Sequence, residues 1–324
     1  MPVTFLFLII QLVMKLSFFK TTALGTIVAS TLLFSACGKK ADDSAVTSEE
    51  AISDGPDVVV QTIISEFANG NSGIIWSALP TSYQSDIDGL IHLAGANTDK
   101  EVYDKSLSLF ARLAEVIDQQ KSFIVNSSLL KERSAEDLSQ LEAALPSVVG
   151  LMNTIASSEL SSTEGLLNFD GKTFFETTVS TCVEYLDTIG QLTSDDTKLA
   201  NYAATVVSVV ESDGQQATLS ITVPGQEKKD IVFTKVEECW VPAEIESEWA
   251  VNIEQMTASL EVTSAEAFEA QKTQIMGALT MFEGILTQIA SVQTQEQFDE
   301  SLQSAAMPFM SIFMILSQAS NAAD

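Results

Sequence analysis

The chain has 324 residues, with 44 Asp and Glu against 16 Lys and Arg, and a net charge of −28. That length allows one large domain or two ordinary ones, and 46% hydrophobic residues can fill a substantial core. Charge of this sign is repelled by phosphate backbones and anionic headgroups, which excludes nucleic-acid binding. The acidity itself fits solubility or tolerance of a salty exterior. A cationic partner or loosely held divalent ions would be a sharper reading, but the acids are not clustered tightly enough to favour it.

Residues 14–37 begin Met14-Lys15-Leu16-Ser17-Phe18-Phe19-Lys20, continue as an apolar run from Thr21 to Phe34, and end in Ser35-Ala36-Cys37. A basic start, an apolar stretch and a small-residue cleavage site follow the order of an export signal. The apolar run is short for a spanning helix and is followed at once by Gly38-Lys39-Lys40. Met1 to Val13 is apolar and uncharged, unlike the start of such a signal, so translation is expected to begin at Met14. Residues 1–36 are thus read as a signal peptide. Removing them takes Lys15 and Lys20 and no acid, which moves the charge from −28 to −30.

Leu33-Phe34-Ser35-Ala36-Cys37 resembles the lipobox of bacterial lipoproteins. The resemblance covers these two dozen residues. It departs from the family where Phe34 stands three residues before the Cys, a place where Leu is preferred. It implies that Cys37 is acylated, palmitate included, and becomes the new N-terminus. It also implies that Gly38, not being Asp, sends the protein to the outer membrane with its body in the periplasm. Several acyl chains give lasting membrane anchorage, where one would be marginal. Residues 37–55 are then the lipidated Cys and a flexible tether, because almost no bulky apolar side chain is available to repay ordering.

The predicted elements follow in order. Pro56 sits at a first helical position, and Val58, Val59, Ile63 and Phe67 share a face that Asn69-Gly70 ends. A short segment from Ile74 to Leu79 leads to Pro80 and a second helix carrying Tyr83, Ile87, Leu90, Ile91 and Ala94. A third helix from Asp99 carries Tyr103, Leu107, Phe110, Ala114, Ile117 and Phe123 or Ile124. Ser134 to Asp137 has the form of a capping box opening a helix that Pro146 should kink. Phe175, Val179, Cys182, Leu186 and Ile189 form the cleanest helical stripe of the first half.

The period then changes. The run Thr205–Val210, the turn Asp213-Gly214, the alternation of Ala217, Leu219, Ile221 and Val223, the turn Pro224-Gly225, the run 230–236, the turn Glu237-Glu238 and Cys239–Pro242 predict an antiparallel meander of three or four strands. Helix returns with Trp249, Ile253, Met256 and Leu260. Next comes a wide face of Phe268, Ile275, Leu279, Phe282, Leu286 and Ile289. The segment from Glu296 to Ser317 is apolar on every side beyond Pro308 and too short to span a bilayer; it is read as a buried closing helix, or else as an adaptable docking surface.

The meander is similar to that of exported lipoproteins with a nuclear-transport-factor-2-like, cystatin-like α+β domain. The likeness rests on a helix, helix-loop material containing Trp76, and strands ending in Cys239-Trp240-Val241-Pro242. Glu238-Cys239-Trp240 stands where that family often has Gly-Lys-Trp, and more than a hundred helical residues would be an insertion. The fold hosts binding and catalytic members alike, so the resemblance names no function.

Candidate chemistry is sparse. His92 is the single histidine, and no Gly-x-Ser-x-Gly elbow accompanies it. One imidazole does not make the clusters that zinc or iron prefer. Gly165 to Thr173 puts five residues between its glycines where a phosphate loop needs four, so Asp170-Gly171 is read as a turn and no nucleotide is expected. Asp86-x-Asp88-Gly89 has the beginning of a calcium loop without the remaining ligands. Asp195-Asp196 and Glu237-Glu238 lie at turns and read as solvated, whereas acid catalysis needs a desolvated carboxyl. Cys182 and Cys239 are candidates for a disulfide in an oxidising compartment. The position of Cys182 on an apolar stripe leaves that open.

The sequence therefore predicts a helix-dominated α+β protein. Residues 56–324 form one helix-rich domain: a helical part at 56–203, a meander at about 204–242 with helices on both sequence sides, and C-terminal helices at 246–320. No catalytic, cofactor or metal residues are assigned. The expected role is a non-catalytic cell-envelope binding or assembly component, held to the membrane through Cys37 and meeting an envelope protein. A hydrolase of envelope glycans using carboxylates alone and a carrier of an apolar ligand stay open as alternatives.

Overall fold

The computed structural model describes residues 36–37, 55–193, 199–261 and 265–321. Chain order gives β1 (Ala36–Cys37), α1 (Pro56–Ala68), α2 (Gly73–Ala78), α3 (Thr81–Asn97), α4 (Lys100–Gln119), α5 (Lys121–Val125), α6 (Ala135–Ala156), α7 (Thr163–Leu167), α8 (Gly171–Phe174), α9 (Ser180–Thr193) and α10 (Leu199–Ala203). The meander follows as β2 (Val206–Ser212), β3 (Gln216–Thr222), β4 (Lys229–Val236) and β5 (Cys239–Pro242), then α11 (Ala243–Glu261), α12 (Ala265–Ala290) and α13 (Gln295–Asn321). The protein is a helix-dominated α+β structure with one antiparallel four-stranded meander, as its sequence implies.

The meander's turns are where their chemistry puts them. Gly214 and Gly225 take positive φ, +88° and +80°, at the first two turns. Glu237 and Glu238 both have positive φ at the third, the conformation of a two-residue hairpin that normally favours Asn-Gly. Strand pairing is β2 with β3, β3 with β4 and β4 with β5, and a bulge lies between Val209 and Glu211 on the outer strand β2. One face of the sheet takes α1. Val60, Ile63 and Ile64 meet Ala217, Leu219, Ile221, Phe233 and Trp240, with Leu219 and Phe233 fully buried.

The buried face of α1 is rotated from the predicted one. Val58 is 48% exposed and Val59 and Phe67 only pack against the core's margin, while Val60 and Ile64 are inside. Val58 to Val60 is a continuous apolar run, so periodicity alone permits either rotation.

A second core lies away from the sheet. Helix α4 supplies Val102, Leu109 and Val116 to α12 and α13, which give Ile275, Leu279, Leu286, Ile289 and Phe298. Its other face sends Tyr103 and Leu107 to Leu166 of α7. Burial on two sides explains why a single-stripe reading missed Val102, Leu109 and Val116. Of the three C-terminal helices, α11 packs on β4, β5 and α3, while α12 turns to α4 and to α13.

Helix starts follow the capping rules. Asp99 accepts from the Val102 N–H at 3.0 Å to cap α4. Ser134 and Asp137 form the reciprocal box that opens α6, which runs on past Pro146 to Ala156. The stripe from Phe175 to Ile189 is not one continuous α-helix. Residues 175–179 are a π-helical turn, and Val179, Cys182, Leu186 and Ile189 are half-buried. Fully buried Ser72 explains the break: its hydroxyl donates to the Phe175 carbonyl at 2.6 Å and lies 2.8 Å from the Ser180 hydroxyl. The side chains of Phe268 and of the apolar stretch 312–316, and the Asp195-Asp196 pair, lie outside the described residues. Among the described residues no helix is long and apolar enough to cross a membrane.

Candidate functional site

The cysteine expected to carry the anchor meets the body at the edge of the sheet. β1 pairs antiparallel with β5, Ala36 opposite Trp240 and Cys37 opposite Cys239, and it also lies against α1 and α2. β5 is inside on both faces. Trp240 joins the core under α1, while Val241 points the other way into a cluster with Trp76, Leu79 and Tyr83. Strand alternation puts Cys239 on the Val241 side, and it is fully buried.

That second cluster is framed by polar ties from several elements. Tyr83 of α3 stacks on Trp249 of α11 at 3.9 Å between ring centroids, and the indole N–H donates to Asp86 at 2.8 Å. Burial, followed by the charges of Glu246, Asp86 and Glu237, pushes the Tyr83 hydroxyl above its ordinary pKa. Glu237, at the positive-φ turn leading into β5, accepts from the Ser82 N–H at 3.2 Å in the first turn of α3. Hydrogen bonding from Ser82, its side chain first and then its N–H, holds the Glu237 carboxyl below the usual range, and a carboxylate at a helix N-terminus is favoured by the helix dipole. The unusual backbone of this turn therefore places a charge where α3 needs one. Asp88 accepts from the Gly171 N–H at 3.0 Å. Gly171 in turn lies so close to Trp76 that a Cβ there would sit 2.5 Å from Cζ2 and Cζ3 of the indole.

Each sequence candidate has a place in this framework. Asp86 and Asp88 face different partners, Trp249 and Gly171, and not one shared ion site. The ring Nε2 of exposed His92 lies 2.9 Å from the Phe169 carbonyl. Asp170 caps α8 by accepting from the Thr173 N–H at 2.8 Å, so the stretch compared with a phosphate loop is a helix start. Among the described residues no group of three or more His, Cys, Asp or Glu is placed to hold a metal.

The question of the cysteines, which the sequence left open, has an answer. Cys182 is a free thiol, whereas Cys239 is disulfide-bonded, so the candidate Cys182–Cys239 pair is not formed. The reason is placement: Cys182 rides on α9, which packs on α6, and Cys239 is on β5 beside β1. Burial raises the Cys182 thiol to about 11, which keeps it protonated and unreactive. Sequence reasoning could not have found the β1–β5 contact, because a two-residue strand carries no alternation to read.

An open hollow of about 510 Å³ lies elsewhere, lined by Ser128, Leu129, Gln295, Glu296, Asp299, Glu300 and Gln303. Asp299 is its least exposed acid, and burial would raise its pKa. Bonds from Ser127, Ser128 and Gln295 outweigh that and hold it low. A carboxyl kept ionised in this way is the opposite of a general acid.

Comparison with known proteins adds no relative. No family model matches this chain, and no curated protein or solved structure does. Its chemistry has to be read from its own residues.

Proposed function

We propose that the protein is a membrane-anchored lipoprotein of the cell envelope, acylated on Cys37, whose body serves binding or assembly and not catalysis. The observation that carries this reading is the run from Met14 to Cys37, a basic start, an apolar stretch and Leu33-Phe34-Ser35-Ala36-Cys37. The bonding of the carboxylates supports the non-catalytic part. Asp86, Asp88, Asp99, Asp170, Glu237 and Asp299 each accept hydrogen bonds that cap a helix or tie two elements together. The space an apolar ligand would need between α1 and the meander is occupied by Leu219 and Phe233, both fully buried.

In this reading Cys37 becomes the N-terminus on the outer-membrane side of the periplasm, and 38–55 spaces the acidic body from the lipid. The acidic body is repelled by anionic headgroups, so the acyl chains have to supply the membrane affinity. The partner is a protein of the envelope.

Metabolic labelling with palmitate, combined with membrane fractionation, tests the anchor. Wild type should take up label and sediment with membranes, and Cys37→Ala should do neither. Label persisting in Cys37→Ala, or intact protein in the cytosol with its leader uncut, would end the reading. Crosslinking in cells then tests the role: one stoichiometric envelope protein is expected, whereas a co-purifying glycan cleaved on incubation would point to the hydrolase instead.

A further inference from the structure

We propose that the junction of the first turn of α3, the β4–β5 turn and the start of α11 docks a basic side chain, an arginine by preference, of the envelope protein this chain binds. The proposal deepens the binding role given above and rests on it for the source of the cation, not for the site.

Acids far apart in sequence converge there around one tyrosine. Val236, Ile245 and Trp249 pack against the cluster that contains Tyr83, and the first two are each followed by an acid, Glu237 and Glu246. Glu237 is held beside Tyr83 by the Ser82 N–H at 3.2 Å. Asp86, one turn on from Tyr83, is held by the indole N–H of Trp249 at 2.8 Å. With Tyr83 stacked on Trp249, these bonds set the arrangement before any ligand arrives, which lowers the cost of binding.

Tyr83 itself is an independent sign of a ligand. It is only 6% exposed, yet its hydroxyl has no hydrogen-bond partner among the described residues. Nor is that hydroxyl sealed in: the sealed, unpartnered side-chain oxygens among those residues are Glu159 Oε2 and Thr205 Oγ1. The charges acting on it, those of Glu246, Asp86 and Glu237, are all negative. Lys235, two residues before Glu237, is paired with Glu238 instead. A bare metal ion does not suit the place, because no three His, Cys, Asp or Glu among the described residues are grouped closely enough to share one. Acceptors spread in this way suit a wide, planar cation. A guanidinium offers five N–H donors in a fork and can reach carboxylates and a phenol oxygen together. The excess of 44 acids over 16 Lys and Arg adds attraction at longer range.

Full-length protein in non-ionic detergent, titrated with N-acetyl-arginine amide and followed by tryptophan fluorescence, tests the site. A saturable change is expected that Trp249→Phe removes and that Glu246→Gln shifts to a Kd about three- to fivefold higher. Tyr83→Phe, which keeps the ring and its stack, should weaken binding in the same direction. A response no larger than sodium chloride gives at equal ionic strength, or a Kd unmoved by Glu246→Gln, would overturn the site. Crosslinking in cells separates the sources of the cation: the stoichiometric partner should be captured by wild type and lost with Glu246→Gln. Capture that Glu246→Gln leaves unchanged, or a polyamine co-purifying in place of a protein, would overturn docking here. Failure of palmitate labelling would sink the anchor alone and leave the titration standing.

Discussion

Two glycines on helices that share a core should respond to the same substitution with opposite sign. Gly171 opens α8 against Trp76, which is 4% exposed and packed among Leu79, Tyr83 and Val241. A methyl group there would overlap Cη2, Cζ2 and Cζ3 of the indole, which also packs against Phe175 at 5.4 Å between ring centroids. Overpacking of this kind costs about 1–3 kcal/mol. Gly89 lies in the middle of α3, is exposed, and a Cβ there meets nothing within 4 Å. At such a site Ala improves helix propensity by about 0.8–1 kcal/mol. Urea unfolding followed by tryptophan fluorescence should thus place Gly171→Ala and Gly89→Ala about 2–4 kcal/mol apart, on opposite sides of wild type. Equal stabilisation by both substitutions would refute the close approach of α8 to Trp76.

Two further changes probe the charges and the turns. Burial works to raise the Asp99 pKa, but the Val102 N–H and the Lys272 ammonium, 2.9 Å away, outweigh it and hold it low. A lowered carboxyl contributes stability above its unfolded value, near 3.9, and loses it as pH falls through the folded one. Asp99→Asn keeps a cap of similar quality and loses the charge, so it should be weaker than wild type at pH 7, with the gap closing on acidification below about pH 4 in urea melts. Glu238 is held at φ 66°, and its ion pair with Lys235 leaves it 83% exposed. Left-handed backbone costs a side-chain-bearing residue about 1–2 kcal/mol and an exposed pair returns at most about 1, so Glu238→Gly should raise the urea midpoint. A lowered midpoint would show that the ion pair governs the turn.

The parts of this fold legible in the sequence are those encoded locally. Asp99, Ser134 and Asp137 announce helix starts because a cap is satisfied within its own turn, and Pro56 does so because its ring presets φ at a position that needs no N–H. The strands announce themselves because alternation in 217–223 and turn residues at 213–214 and 224–225 agree. What was hidden depends on neighbours far away in sequence. The second buried face of α4 is decided by α12, about 170 residues later. The π-helical turn at 175–179 is decided by Ser72, a hundred residues earlier. The pairing of β1 with β5 leaves no trace in Ala36-Cys37, because two residues are too few for an alternation to show. The apolar stripe around Cys182 was the one local sign against its pairing with Cys239, and the thiol is indeed free.

The position of α1 has a mechanical consequence. It is the first helix after the stretch that would lead to the lipid, and Val60, Ile63 and Ile64 bind it across the meander. A pull on the chain from the N-terminal side of Pro56 would therefore meet α1 first, a helix seated across the meander's apolar face.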